Sequence, residues 1–227
     1  MLRDPAGMKT LFSWSSGKDC AWALNEFLSA PVPGDAILAT TFDESSTRIA
    51  MHGVPLELAQ AQAEALGLPF WSVGLPWPCA NDVYESRMLS LLKKAEAASV
   101  TQIVFADLFL EDIRKYRETK MVAFPAIKLC FPLWMRPTRE LAEVMINGGL
   151  KAVVVCVDPK RLPREFVGRE FDHSFLRDLP PGIDPCGECG EFHTFCYDLP
   201  SFKHPVRFKR ASLAERHGFV YQELQAG

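Results

Sequence analysis

Residues 9–28 read KTLFSWSSGKDCAWALNEFL, and this stretch predicts a strand, a polar turn and a helix in immediate succession. The run 9–14 is typical of a short strand. After the turn, apolar side chains recur at i, i+3, i+4, i+7 and i+8, which places them on one helical face. They are Cys20, Ala23, Leu24, Phe27 and Leu28. The turn Ser15-Ser16-Gly17 therefore leads from a strand into a helix N-terminus.

The same alternation continues through the first half of the chain. Apolar runs predict buried strands at 36–42, 70–73 and 103–106, and amphipathic patterns predict helices around 56–66 and 84–95. Strands and helices at this spacing are typical of βαβ units with right-handed crossovers, which build a mainly parallel sheet. The sequence therefore predicts an α/β fold with a Rossmann-like domain.

The second half is less regular. A helix is predicted over 139–146 and a strand over 151–157, and from Asp158 onward the proline-rich sequence is expected to be mostly loop. This change of character predicts a boundary near residue 130. We expect an α/β domain over 8–130 and a smaller C-terminal α+β lobe over 131–227.

Length and composition exclude several classes of protein. The 227 residues, 48% hydrophobic and 23% charged, can bury a core without metal or disulfide support. A formal net charge of −3 argues against a generally basic nucleic-acid binder. No apolar run approaches the ~18 residues of a membrane helix, and residues 1–5 lack the apolar core of a signal peptide. Seven cysteines, an odd number, are expected to be reduced thiols in a cytoplasmic protein.

The turn at 15–20 has the properties of an anion-binding loop. Its small residues let backbone N–H groups approach a phosphate, and the helix N-terminus adds its dipole. Ligands of parallel sheets bind beyond the carboxyl ends of the strands, so Thr41–Ser46 and the segment from Asp107 onward are candidates too. A Walker A loop is excluded by Phe12 and Asp19, which stand where Gly and Ser or Thr are required. A plain turn with a serine N-cap is the alternative.

The loop resembles the SGGKDS signature of PP-loop ATP pyrophosphatases, with Ser16 at the second glycine and Cys20 at the final serine. Three further segments narrow the resemblance. They are Thr41–Glu44 with Arg48, Met51 and His52; Phe105–Asp112 with Arg114, Tyr116, Arg117 and Glu118; and the block GECGEFHTF at 187–195. Together they resemble the diphthine–ammonia ligase family of PP-loop proteins (adenine nucleotide alpha hydrolase-like), and the last block is the most specific element.

The resemblance implies a reaction in two steps. A carboxylate attacks the α-phosphate of ATP and pyrophosphate leaves; ammonia then attacks the acyl adenylate, which gives an amide and AMP. In the family the carboxylate belongs to diphthine, a modified histidine of translation elongation factor 2, and a bacterial source would allow a different carboxylate. ATP and Mg²⁺ are the implied cofactors. The resemblance further implies an ATP-binding domain over 8–130 and a substrate-binding lobe over 131–227, and it allows a homodimer.

The resemblance also assigns roles to individual residues. The implied catalytic residues are Lys18, Asp107, Glu188, Glu191 and His193. The implied nucleotide-binding residues are Ser15, Ser16, Gly17, Lys18, Asp19, Cys20, Thr41 and Phe42. The implied substrate-binding residues are His52, Glu111, Arg114, Gly187, Glu188, Glu191 and His193. Asp19 and Asp107 are the candidate ligands of Mg²⁺, because this ion takes oxygen ligands.

Structural interpretations of the same residues stay open. Glu188 and Glu191 are also expected of an ordinary loop, and His193 of a packed strand. The pattern Cys186, Cys189, His193, Cys196 has the spacing of a zinc knuckle. The stretch 202–210 interleaves basic and aromatic residues, which is typical of an RNA contact or of a solvated surface strand.

Two other functions compete with the ligase. The first is a PP-loop enzyme that modifies tRNA by thiolation, with Cys186 or Cys189 carrying the sulfur. The second is a non-enzymatic ATP-binding or sensor protein, a function favoured by the departures at Ser16 and Cys20. Tight tRNA binding at ordinary salt would support the first, and ATP binding without turnover the second.

Overall fold

The computed structural model describes residues 8–30 and 34–227. The strands are β1 Lys9–Ser13, β2 Asp35–Asp43, β3 Arg48–Ile49, β4 Phe70–Leu75, β5 Gln102–Val104, β6 Lys128–Cys130, β7 Lys151–Val157, β8 Phe192–Asp198, β9 Phe208–Arg216 and β10 Phe219–Ala226. The helices are α1 Lys18–Leu28, α2 Leu56–Leu66, α3 Asn81–Ala97, α4 Glu111–Met121, α5 Thr138–Asn147 and α6 His173–Asp178, with a 3-10 turn at Arg164–Phe166.

The first sheet contains five parallel strands in the order β4-β2-β1-β5-β6, and β3 pairs antiparallel with the end of β2. Successive side chains of β1 point to opposite faces of this sheet. Phe12 joins the core under α1 and α2, whereas Leu11 joins the core under α3 and the segment after α4. The predicted α/β, Rossmann-like domain is confirmed.

The second sheet is antiparallel, in the order β8-β7-β10-β9. Its central strand β7 is buried from Ala152 to Val157. These side chains belong to the same hydrophobic cluster as Phe12 and Leu24 of the first sheet and its helix. The smaller α+β lobe is therefore confirmed, and it shares a core with the first sheet. The division at residue 130 stays a prediction.

The structure differs from expectation mainly in the last third of the chain. The prediction of mostly loop after Asp158 is wrong for the C-terminal end, where β9 and β10 form, whereas the packed strand expected around His193 is present as β8. Strand β9 exposes most of its side chains, so its sequence lacks an apolar signal. His217 and Gly218, with φ of 53° and 83°, make the tight turn into β10.

Two further sequence predictions concern the ends of strands and the membrane. The strand predicted over 103–106 ends at Val104, and the one predicted over 70–73 continues to Leu75. Residues 1–5 lie outside the described part. No helix in that part is both long and apolar enough to cross a bilayer.

Gln62 of α2 yields a stability prediction. Its side chain is fully buried, accepts from Nε1 of Trp14 at 2.8 Å and donates to the carbonyls of Ser16 and Cys196. Gln62→Leu leaves buried polar groups without partners, so we expect the free energy of unfolding to fall by about 3 kcal/mol. Urea unfolding measures the change.

The matched control is Gln60→Leu, the same substitution at an exposed position of the same helix. We expect it to change the free energy of unfolding by less than about 0.5 kcal/mol. Equal effects of the two substitutions would contradict the role of Gln62.

Candidate active site

The backbone at Ser16 and Gly17 shapes the loop between β1 and α1. Ser16 has a φ of 67°, in the left-handed region that favours glycine, which accounts for the glycine of the SGGKDS signature. A Cβ atom on Gly17 would lie 2.7 Å from Cε1 of His52, so a larger residue there would displace the histidine. Cys20 is buried, and its thiol donates to the carbonyl of Gly17 at 3.1 Å.

Strand β8 forms the wall against which this loop packs. The N–H of Cys196 donates to the carbonyl of Ser16 at 2.9 Å, and the N–H of Lys18 donates to Oγ1 of Thr194 at 3.0 Å. The side chain of Gln62 donates to a carbonyl on each side of this contact, that of Ser16 in the loop and that of Cys196 in β8. We call residues 15–20 the phosphate loop, after the ligand predicted for it. This loop and the GECGEFHTF block are far apart in the sequence and are in direct contact in the structure.

The side chain of Lys18 points into this contact. It is 2% exposed, and Nζ donates to Oδ2 of Asp19 at 2.8 Å and to the carbonyl of Cys186. The rings of Phe171 and Phe192 lie 5.4 and 5.2 Å from Nζ. Burial lowers the pKa of Lys18, but Asp19 and the other acidic neighbours reverse this and raise it. The sequence predicts this ammonium group beside phosphate, and the structure places it between the two lobes.

Two polar atoms beside the loop have no partner among the residues that the structure describes. They are Oγ of Ser16 and Oδ1 of Asp19, and both are buried. Burial raises the pKa of Asp19, against the lowering effect of Lys18. Because buried polar groups are normally hydrogen-bonded, such atoms are candidates for contact with a ligand.

Glu188 joins the block to the Asp107 segment. Its Oε1 accepts from the N–H of Leu108 at 2.7 Å, and its own N–H donates to Oδ2 of Asp184 at 2.8 Å. Burial raises the pKa of Glu188 to about 7, and the nearby Asp19 adds to the shift. A carboxyl group with this pKa can both donate and accept a proton near neutral pH.

Glu191 is more deeply buried, with 3% exposure. Its Oε1 accepts from the N–H of Asp184 at 3.2 Å, whereas Oε2 has no partner in the described part of the chain. Asp184 therefore holds both glutamates, one through its side chain and one through its backbone. Sequence analysis missed Asp184, because an aspartate before a proline is an ordinary loop signal.

His52 and His193 stack beside the phosphate loop, with ring centroids 4.7 Å apart. Nδ1 of His52 lies 3.0 Å from the carbonyl of Thr194, and Nε2 of His193 is buried with no partner among the described residues. Burial lowers the pKa of His52 to about 4 and that of His193 well below its ordinary value. Both imidazoles are therefore neutral at neutral pH.

The Asp107 segment lies at the edge of this site. Both carboxylate oxygens of Asp107 accept from Arg117, at 2.7 and 3.1 Å, so this predicted Mg²⁺ ligand is already in an ion pair. Glu111 is exposed in the first turn of α4. Arg114 contacts the rings of Phe131 and Trp134 instead of the phosphate loop.

A cavity of about 540 Å³ opens at the carboxyl ends of β1, β2 and β5, between α3 and α4. Of the predicted nucleotide-binding residues, Ser15 and Thr41 line it, whereas residues 16–20 and Phe42 do not. Sequence analysis missed several of its polar and aromatic walls, which lie on the two flanking helices. They include Tyr84, Glu85, Tyr116 and Lys120.

Comparison with known proteins finds one family model and several relatives that resemble this chain. The family described as diphthamide synthase C-terminal domain matches residues 137–223. The diphthine–ammonia ligase of Danio rerio is 27% identical over 219 residues, 85% of this chain and 83% of the relative. These matches make the chain similar to the diphthine–ammonia ligases. The diphthine–ammonia ligases of Bos taurus and Homo sapiens are each 26% identical over 133 residues, 56% of this chain and 49% of theirs. The chain thus aligns with about half the length of these mammalian relatives.

The two cysteines that flank the family block donate to backbone carbonyls. The thiol of Cys186 donates to the carbonyl of Thr138 at 3.4 Å, and that of Cys196 to the carbonyl of Asp198 at 3.5 Å. Within residues 8–30 and 34–227, no three His, Cys, Asp or Glu side chains are placed to hold a metal ion. The zinc-knuckle spacing therefore does not assemble a zinc site.

The raised pKa of Glu188 predicts how stability depends on pH. The native state binds the proton of Glu188 more tightly than the unfolded chain does. The contribution of Glu188 to the free energy of unfolding is therefore fully present below the ordinary pKa of 4.5 and is lost as pH rises through about 7. Glu188→Gln removes this loss. In urea unfolding between pH 5 and 8, we expect the variant to gain stability relative to the parent as pH rises.

The exposed Glu57 of α2 provides the control. Glu57→Gln should show no such trend. The lowered pKa values of His52 and His193 make stability fall as pH falls below their ordinary pKa of 6.5. Both histidines are present in the parent and in both variants, so this effect cancels when the stabilities are compared. A pH-independent difference for Glu188→Gln would contradict the assignment.

Proposed function

We propose that this chain joins ammonia to a carboxylate substrate in diphthamide synthesis, by way of an acyl adenylate formed from ATP. AMP and pyrophosphate are then the products. The observation that carries the proposal is the hydrogen bond between the phosphate loop and the block at 187–195, in which Glu188 also joins the block to the Asp107 segment. The names of the similar proteins support the same reaction class.

The proposed ATP site combines the cavity with the phosphate loop. The nucleoside occupies the cavity near Ser15 and Thr41, and the phosphates lie toward the N-terminus of α1, which begins after Gly17. The helix dipole favours phosphate there, as does Oγ of Ser16, which has no partner among the described residues. In this arrangement Lys18 acts from beneath the loop and holds Asp19 in place.

Of the two predicted Mg²⁺ ligands, Asp19 fits the ion as it stands and Asp107 does not. Oδ1 of Asp19 has no partner in the part of the chain that the structure describes, and it is a suitable oxygen ligand. Asp107 becomes a ligand only if it leaves Arg117. When bound, Mg²⁺ would neutralise charge on the phosphates, and Asp19 would hold it against the loop.

The proton transfer is assigned to Glu188. Ammonium has no free electron pair and must lose a proton to become ammonia before it can attack an acyl carbon, and a carboxylate with a pKa of about 7 is a suitable acceptor of that proton. Oε2 of Glu191 is a further acceptor for an N–H of ammonium. The neutral His193 is placed to orient the reacting groups through Nε2.

The proposed acceptor is the diphthine carboxylate of translation elongation factor 2, and a bacterial source would allow a different carboxylate. We further propose a cytoplasmic location and the functional division of the chain into 8–130 and 131–227. Sulfur transfer gains no support from the cysteines, since burial raises the pKa of Cys186 and makes it a poor nucleophile.

The test follows ATP by phosphorus NMR in the presence of the protein, Mg²⁺, ammonium and diphthine-bearing elongation factor 2. We expect AMP and pyrophosphate with the complete mixture, and Lys18→Ala to abolish them. Glu188→Gln should slow amide formation by at least about a hundredfold while ATP still binds. Glu57→Gln should react as the parent does. ADP and phosphate as products would overturn the proposal.

A further inference from the structure

An aromatic corner, formed by Phe131 and Trp134, follows β6. The two rings meet edge to face, with centroids 6.0 Å apart and planes at 63°. The guanidinium carbon of Arg114 lies 4.7 Å from the Phe131 centroid and 4.6 Å from the Trp134 centroid. One cation therefore contacts two aromatic faces at nearly equal distance, which is the geometry by which proteins hold quaternary ammonium groups.

The corner continues into a ladder of rings and cations. Phe105 stacks on Phe131 at 5.9 Å with planes at 25°, and the guanidinium carbon of Arg117 lies 3.9 Å from the Phe105 centroid. This ladder presents negative ring faces in succession. It therefore attracts cations generally, and poorly hydrated cations most strongly.

Arg114 is weakly held in the corner. Its other side-chain partner is Glu118, at 2.8 Å, and the two side chains are 34% and 50% exposed. Exposed pairs of this spacing on a helix add little stability. A ligand cation that enters the corner can therefore displace Arg114 at small cost, and the long side chain can then reach an anionic group on the same ligand.

Backbone hydrogen bonds connect the corner to the proposed active site. The N–H of Met135 donates to the carbonyl of Leu108 at 2.7 Å, and the N–H of Leu108 donates to Glu188 at 2.7 Å. Phe105 and Arg117 also line the cavity. A group bound in the corner is thus next to both the nucleotide cavity and the proposed proton acceptor.

We propose that the aromatic corner binds the quaternary ammonium group of the substrate, and that Arg114 turns to pair with the substrate carboxylate beside it. This inference rests on the proposed function, because diphthine carries a trimethylammonium group and a carboxylate on the same carbon atom. The corner thereby selects the substrate by its cation and leaves the carboxylate exposed to the adenylation site.

Trimethylglycine is the probe, since it has the same one-carbon separation of cation and carboxylate. Its matched control is 3,3-dimethylbutanoate, which has the same shape with a neutral carbon in place of nitrogen. Binding to the full chain is measured by calorimetry without ATP. We expect the control to bind at least tenfold more weakly, because it lacks the charge that the ring faces attract.

Substitutions separate the two parts of the corner. Trp134→Leu should weaken trimethylglycine at least fivefold, whereas Trp134→Phe should retain it. Trp77→Leu, at an exposed tryptophan outside the corner, should leave it unchanged. Arg114→Gln should weaken trimethylglycine but tighten tetramethylammonium, because the competing guanidinium is gone and only trimethylglycine has a carboxylate. Thermal unfolding of each variant checks that it is folded.

The proposal is overturned if trimethylglycine and its neutral analogue bind alike, or if Trp134→Leu and Trp134→Phe behave identically. It is also overturned if Arg114→Gln shifts both cations equally. Trimethylglycine binding without any ATP turnover would count against the proposed function alone. Amide formation by a protein that does not bind trimethylglycine would count against the proposed role of the aromatic corner alone.

Discussion

The packing of the phosphate loop against β8 is the interaction on which the rest of the site depends. Ser16 and Lys18 bond this strand through their backbones, and Gln62 closes the contact from α2. The left-handed backbone at Ser16 and the absent side chain at Gly17 are required by it, because His52 occupies the space beside the loop. The site is thus a seam between a parallel and an antiparallel sheet, and neither sheet contains it alone.

In this seam, one buried cation lies among three carboxyl groups. Lys18 is a buried cation, and the carboxylates of Asp19, Asp184 and Glu188 all lie close enough to influence it or one another. Their mutual repulsion and burial favour protonation, which is why the pKa of Glu188 rises to about 7. Four buried polar atoms without partners in the described chain lie in the same seam, on Ser16, Asp19, Glu191 and His193. Such an environment is suited to exchanging protons and to receiving cations.

Features encoded locally could be predicted from the sequence, and features that depend on long-range packing could not. The strand, turn and helix over 9–28 follow from a periodicity within twenty residues, and the α/β class follows from its repetition. The approach of Thr194 to Lys18 joins residues 176 positions apart, and nothing in their spacing indicates it. For the same reason, sequence analysis missed the direction of the Lys18 side chain, the contacts of Asp184 and the exposed strand β9. The matched motif positions were informative about which segments meet, whereas their individual roles stay predictions.

The distance between Lys18 and Thr194 along the chain has a consequence for synthesis. During synthesis the phosphate loop is made well before its wall, β8, because 176 positions separate Lys18 from Thr194. Until β8 has been made, the loop has no strand to pack against. Contacts of such long separation form slowly, since the intervening chain must be ordered first. An incomplete chain without β8 consequently lacks the backbone contacts that hold the phosphate loop in place.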